Sequence, residues 1–310
     1  MYELKAWIDQ TSWHDYILQE ALLDASFRTY YRLQKAHKSV MLMDSSLLLE
    51  SLEPFIQINE KLSSVGVNVP KILAKNTAKG YLILEDFGSE HLQDILSKDN
   101  YQVLYQKAID EMIKMQKAPC DNMLSYDKEF LCFEMDLMQE WYLDKYLHKV
   151  LDKEEKSSLA SVLQAISQEV LSQPQGLFVH RDFHSRNIML TPQGKIGIID
   201  FQDARLGAMT YDLVSLLKDC YVEWEADEVE KLALYYRDSM DLEVDDKTFI
   251  RWFDFMGLQR HIKVLGIFAR LSLRDGKDNY LKDIPLTLKY VLQTAKKYEE
   301  TKSLVTLLKL

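Results

Sequence analysis

The chain is short of the residues that mark several protein classes. Only three cysteines occur among its 310 residues, Cys120, Cys132 and Cys220, and no two form a CxxC pair. An odd, scattered set suits unpaired thiols in a reducing compartment. Six prolines and ten glycines are too few for a collagen-like or linker-dominated chain. No stretch approaches the roughly 18 uncharged apolar residues that a membrane span requires. The segment Met1-Tyr2-Glu3-Leu4-Lys5-Ala6-Trp7 has no apolar h-region and carries acid early, unlike a secretory leader. These absences predict a cytoplasmic chain with no membrane partner. Positive charge is also in deficit: Lys and Arg number 38 against 48 Asp and Glu, a formal net charge of −10. Proteins that live on phosphate backbones show a basic footprint, so nucleic acid is not expected as a partner. No obligate protein partner is evident either.

What is present is ordinary globular composition, 47% apolar and 28% charged. The length suits about two domains or lobes at roughly 150 residues each. Residues 1–18 carry apolar positions at an imperfect helical spacing: Leu4, Trp7, Ile8, Ile17 and Leu18. Phe27–Leu33 and Val40–Met43 read as two strands joined by a short turn. A helix is predicted over 51–64, stopping at Gly66, and short strands over 69–73 and 81–84. After Asp86-Phe87-Gly88 the pattern turns helical over 90–97, 100–117, 129–148 and 153–171. One β insertion follows at 177–201, and helical periodicity resumes from 210. The expected fold class is α+β: a strand-rich N-terminal lobe over 1–86 and a mainly helical C-terminal lobe over 87–310.

The most informative stretch runs Phe178-Val179-His180-Arg181-Asp182-Phe183-His184-Ser185-Arg186-Asn187-Ile188-Met189-Leu190, then Ile196-Gly197-Ile198-Ile199-Asp200-Phe201. Two apolar runs flank the turn material Thr191-Pro192-Gln193-Gly194-Lys195. A hairpin centred between Gln193 and Gly194 sets Asn187 opposite Asp200 at its open end. Asp182 lies in the loop entering that hairpin, so two carboxylates and an amide oxygen are expected to converge. Hard oxygen donors of this kind suit Mg²⁺, which takes few protein ligands plus substrate phosphates. His-Arg-Asp, an Asn five residues after the Asp, and an Asp-Phe beyond a hairpin form the kinase catalytic-loop signature. On that reading Asp182 is the catalytic base, and Asn187 and Asp200 hold the metal.

With a histidine two residues after the Asp, His180–Asn187 resembles the aminoglycoside phosphotransferase and choline kinase superfamily more than protein kinases. Other strings are similar to one branch, the bacterial anomeric N-acetylmuramate/N-acetylglucosamine kinases of cell-wall recycling. They are Asp24–Arg28, Leu84–Gly88, Ile199–Gly207 with Tyr211–Leu216, and Gly257–Leu271. The resemblance covers almost the whole chain. It implies a bilobal protein-kinase-like fold, ATP and Mg²⁺ as cofactors, and a small amino sugar as acceptor. An aminoglycoside or other small-alcohol kinase and a nucleotide-binding pseudokinase stay as alternatives.

The resemblance also implies roles for single residues. The turn Asp24-Ala25-Ser26 lies over the ATP phosphates in kinase-like folds, but it lacks a glycine-rich pattern, and Ser26 is equally an Asx-turn residue. The third strand departs from the kinase pattern: no lysine lies inside Ser39–Asp44. Arg28 or Arg32 is the expected substitute in phosphate contact, the alternative being surface arginines. Glu85 and Phe87 sit at the hinge, where main-chain atoms meet adenine, and Phe87 packs either near the nucleotide or between the lobes. His184 and Arg205 are candidates for the acceptor end, His184 being as readily a structural loop histidine. Arg260, His261 and Lys263 lie on an otherwise apolar helix. They either pair with an anionic acceptor group, such as the lactyl carboxylate of N-acetylmuramate, or serve as helix-surface charge or interhelical ion pairs. Asp212 is expected to hold the catalytic loop from a helix start. The acidic run Glu223–Asp246 reads as a solvated face, with an acidic wall for a cationic substrate as its rival.

Overall fold

The computed structural model describes residues 2–22 and 28–309, the side chains of 20–22 excepted. Ser26 and the rest of its turn up to Phe27 lie outside the described residues. The chain forms two compact units, Met1–Leu92 with Asn187–Asp203, and Gln93–Arg186 with Ala204–Leu310.

The first unit is built on an antiparallel sheet of β1 (Ile17–Leu22), β2 (Thr29–Lys35), β3 (Lys38–Asp44), β4 (Ile72–Asn76) and β5 (Tyr81–Glu85), in the order β1-β2-β3-β5-β4. Register puts Leu33 opposite Val40, and Tyr31, Leu42 and Ile83 in one row across three strands. With period-2 alternation these residues share a face. That face packs against Leu4, Trp7 and Ile8 of the helix α1 (Tyr2–Ile8). A second helix, α2 (Leu52–Ser64), buries Leu52, Phe55, Ile56, Ile58 and Leu62 at helical spacing.

The helical spacing over 1–18 is half overturned. The helix ends at Ile8, whose carbonyl accepts from both N and Oγ1 of Thr11, and Ile17 and Leu18 open the edge strand β1. An edge strand packs one face only, and two neighbouring apolar residues there continue a helical count by accident. The strand expected over 69–73 begins later, at Ile72, after Pro70. The helix expected over 90–97 is only α3 (Leu92–Ile95).

A hairpin of β7 (Ile188–Leu190) and β8 (Ile196–Ile198) belongs to this unit by its contacts. Ile198 N donates to Asn68 O at 2.9 Å, Asn68 Nδ2 to Ile196 O at 2.8 Å, and Leu190 N to Glu90 O at 2.9 Å. Gly197 is required there, because a Cβ would stand 2.5 Å from the Phe87 ring.

The second unit is helical: α4 (Tyr101–Met115), α5 (Lys128–Leu137), α6 (Lys153–Ser172), α7 (Tyr211–Leu217), α8 (Ala226–Ser239), α9 (Asp246–Asp275), α10 (Ile284–Ala295) and α11 (Ser303–Leu307). A two-stranded ribbon, β6 (Leu177–Val179) with β9 (Arg205–Gly207), lies among them. The single helix expected over 129–148 is α5 followed by a π-helical stretch, Met138–Tyr146. The junction faces Gly266 of α9, where a Cβ would lie 2.3 Å from the Leu137 carbonyl carbon. The axis of the unit is α9, buried continuously from Phe253 to Gly266. A helix buried all round has neighbours on every side, and here that run includes Arg260, His261 and Lys263. Among the described residues no helix is long and apolar enough to cross a membrane.

Candidate active site

In the second unit, the loop after β6 carries His180, Arg181 and Asp182. His180 is buried and Arg181 half-buried, so their N–H groups need internal acceptors. Asp212, in the first turn of α7, supplies them: its carboxylate accepts from His180 N at 2.7 Å and Arg181 N at 3.0 Å. Burial pushes the Asp212 carboxyl up to about 6, while His180 and these two donors pull it back. Arg181 holds a left-handed φ of 77° between these anchors, a strained geometry that persists only where the surroundings impose it. Further along, Asp219 accepts from Ser185 N at 2.9 Å and from Ser185 Oγ. Two buried carboxylates therefore hold the loop on either side of Asp182.

Burial pushes the Asp182 carboxyl up, but Lys263, His184, Arg260 and Arg181 outweigh it and hold the carboxyl below its ordinary value. These side chains are themselves wired. Glu134, a buried acid on α5, accepts from Arg181 Nη2 at 3.0 Å and stands 3.5 Å from Lys263 Nζ. Lys263 Nζ also donates to Tyr211 Oη at 2.7 Å. Sequence reasoning missed Glu134 and Asp219. The available signal for Glu134 was its position on the apolar face of α5 and its continuation, three residues after Leu131 and four before Met138.

The acceptor-side candidates occupy different settings. His184 meets Tyr221 edge-on at 5.3 Å, and its Nδ1 is buried without a hydrogen-bond partner. Burial lowers its pKa. Arg205, at the start of β9, lies over the Phe130 ring at 3.9 Å and donates to Ser125 O at 3.2 Å. Burial drives His261 down to about 3, so the ring is neutral and its Nε2–H donates to Lys218 O at 2.9 Å. Arg260 is 4% exposed. Helix-surface charge is thereby excluded for Arg260, His261 and Lys263. The acidic run Glu223–Asp246 is solvated, every carboxylate but that of Glu228 being on an exposed residue.

In the first unit, the hairpin register is one residue off the sequence expectation. Ile188 pairs with Ile198, and Ile199 N donates to Asn187 O at 3.1 Å, so Ile199 faces Asn187. Asp200 has a left-handed φ of 63°. That turn breaks the alternation of a strand and brings its side chain back to Asn187, with Nδ2 3.3 Å from Oδ2. Gln202 Nε2 donates to the other oxygen, Oδ1, at 2.7 Å. Among the described residues no basic side chain forms an ion pair with Asp200, and no three His, Cys, Asp or Glu cluster as a metal site. One uncompensated carboxylate beside one amide is an incomplete set of hard donors, as befits Mg²⁺ that takes its remaining ligands from phosphates and water.

The nucleotide-side candidates also lie in this unit. Arg32 makes a two-pronged pair with Asp86, Nε to Oδ2 at 2.7 Å and Nη2 to Oδ1 at 3.1 Å, and Nη2 reaches Gly88 O at 2.8 Å. Arg28 is buried, donates to Ser51 O at 3.3 Å and lies 5.8 Å from the Phe55 ring. Glu85 ends β5 with Oε2 buried and unpartnered, and Phe87 is buried against Gly197. The interior of β3 holds no lysine, only Lys38 at its exposed start.

This architecture is the aminoglycoside phosphotransferase and choline kinase fold. The chain superposes on an ADP-bound aminoglycoside phosphotransferase with a TM-score of 0.64 at 15% identity, covering 93% of this chain and 97% of that one. It superposes on a choline kinase from Streptococcus pneumoniae with a TM-score of 0.65 at 13% identity, covering 94% and 98%. Residues 18–247 match the phosphotransferase enzyme family, and the chain belongs to that family. It is also 37% identical to a protein of Neisseria meningitidis serogroup B (strain ATCC BAA-335 / MC58), named N-acetylmuramate/N-acetylglucosamine kinase, over 99% of this chain and 94% of the relative.

Proposed function

We propose that this phosphotransferase moves the γ-phosphoryl group of ATP to the anomeric C1 hydroxyl of N-acetylmuramate or N-acetylglucosamine, in the cytoplasm, as a step of cell-wall recycling. The observation that carries the reaction is the setting of Asp182, a carboxylate held ionised by cations on a loop anchored by Asp212 and Asp219. A base must be rigid and deprotonated before it can orient a hydroxyl and take its proton. The acceptor rests on the name of the Neisseria relative, and ATP on the kinase family and its ADP-bound structural neighbour.

Asp182 orients the sugar hydroxyl and accepts its proton as the oxygen attacks phosphorus. Asn187 and Asp200 are the residues that would hold Mg²⁺. Bound there, the ion offsets charge that builds on the phosphates. The N-terminal lobe, residues 1–86, binds the nucleotide, with Ser26, Arg28, Arg32, Glu85 and Phe87 as its candidates. The rest of the chain forms the catalytic and acceptor lobe, with His184, Arg205 and Arg260 at the acceptor end. Arg32, through Asp86, braces the backbone at Gly88 next to the hinge. The cationic surroundings of Asp182 argue against a polycationic antibiotic as acceptor, because like charge within a desolvated site costs several kcal/mol, about the discrimination a binding site needs.

A coupled ADP-release assay with Mg²⁺-ATP tests the reading. N-acetylmuramate and N-acetylglucosamine are expected to turn over, and their 1-O-methyl glycosides to be inert. Turnover of kanamycin alone, or of the blocked glycosides at the same rate, would sink it.

A further inference from the structure

Three titratable side chains stand together on α9, and each is at least nine-tenths buried: Arg260, His261 and Lys263. Two are accounted for. Lys263 is held by Tyr211 and Glu134. His261 is neutral, bonded to Lys218 O and stacked on Tyr290 at 5.0 Å. Arg260 is not. Its Nε is buried without a hydrogen-bond partner; the one hydrogen-bonding contact of its guanidinium among the described residues is Cys220 Sγ, 4.0 Å from Nη1, while Asp182 and Asp219 act on it only through space. Burial pushes the Cys220 thiol up, so it stays protonated and supplies no countercharge.

A guanidinium has five donors and keeps its charge at every accessible pH. Taking it out of water without a partner costs several kcal/mol, so such a group is usually matched by an anion. The nearby carboxylates are spent elsewhere. Asp219 gives Oδ2 to Ser185 and Oδ1 to Tyr221 N at 3.0 Å. Glu134 serves Arg181 and Lys263. Asp182 is the base. What remains is a planar fork whose geometry fits a carboxylate, on the segment of α9 that backs the loop carrying Asp182. The two proposed acceptors differ in that respect: N-acetylmuramate carries a lactyl carboxylate on its ring, and N-acetylglucosamine has a hydroxyl there.

Resting on the amino-sugar reading above, we propose that Arg260 receives the lactyl carboxylate of N-acetylmuramate and is the residue by which the enzyme tells the two sugars apart. The test compares kcat/KM for both sugars in the wild type, Arg260→Met and Arg260→Lys, with the lactyl methyl ester of N-acetylmuramate as a third acceptor. Removing one partner of a buried charge pair is expected to lower the ratio of N-acetylmuramate to N-acetylglucosamine about 30-fold or more in Arg260→Met. Arg260→Lys, which keeps the charge and loses the fork, falls between. The loss of a cation near Asp182 affects both acceptors alike and cancels in the ratio. In the wild type the ester is expected to lose a similar factor against the acid, a comparison that needs no folded variant. An unchanged ratio in Arg260→Met, or a wild type indifferent to esterification, overturns the assignment of Arg260 and leaves the kinase reading standing. A wild type that turns over neither free sugar overturns both.

Discussion

Two aspartates eighteen residues apart, Asp182 and Asp200, sit in opposite electrostatic settings. Asp182, in the helical unit, is desolvated and surrounded by Lys263, His184, Arg260 and Arg181. Asp200, in the strand-rich unit, receives only the amide groups of Asn187 and Gln202 among the described residues. The difference separates two jobs that one side chain can do. A proton acceptor has to be ionised before substrate arrives, and built-in cations ensure this. A metal ligand is better left uncompensated, because a resident cation would compete with the ion. Each aspartate also adjoins or occupies a left-handed backbone position, Arg181 with φ 77° and Asp200 with φ 63°. Both units therefore carry strained backbone at the residues proposed for chemistry.

The comparison breaks first at the aspartates themselves. Asp182→Asn is expected to lower kcat about 10²–10⁴-fold with ATP affinity by calorimetry nearly unchanged. Asp200→Ala is expected to raise the Mg²⁺ concentration for half-maximal rate about tenfold or more, which Asp182→Asn should not move. Equal shifts in Mg²⁺ requirement for both variants would erase the distinction. The pH profile sharpens it. Burial raises the Asp212 carboxyl to about 6, so kcat/KM in the wild type is expected to start falling near pH 6 as that anchor of the loop is protonated. The step that belongs to Asp182, where the cations outweigh burial, comes only below the ordinary carboxylate range.

A second test removes the anion that balances the cations of the helical unit. Glu134→Gln removes the carboxylate paired with half-buried Arg181 and buried Lys263, an expected loss of about 3–5 kcal/mol in urea unfolding. A loss under 1 kcal/mol would mean that the cluster relaxes toward water. The smallest effect belongs to the strand-rich unit. Gly197→Ala presses a methyl into the Phe87 ring and is expected to cost about 1–3 kcal/mol, read by the same unfolding curves.

Local features were legible because they are local. The helices from Tyr101 onward follow apolar spacing, and the Asp182 to Asn187 interval and the turn at Thr191–Lys195 are short-range signals. Strand β1 was misread because an edge strand shows only one packed face. The hairpin register slipped by one because turn composition alone leaves open which residues close the loop. Here Thr191 N bonds to Lys195 O at 2.8 Å, which shifts the pairing. Asp212 was anticipated as the anchor of the loop and is one. Glu134 was not, since its partners lie 47 and 129 residues away.

By itself the sequence determined which side chains are available for chemistry and their order along the chain, since a five-residue interval and an alternating apolar run survive any packing. Tertiary structure decided the charge state and the occupation of each group. Whether Asp182 is ionised, whether His261 is neutral, and whether Arg260 Nε is left without a hydrogen-bond partner depend on neighbours that are distant in sequence. Desolvation and Coulomb energy are set by distance in space, which periodicity does not encode.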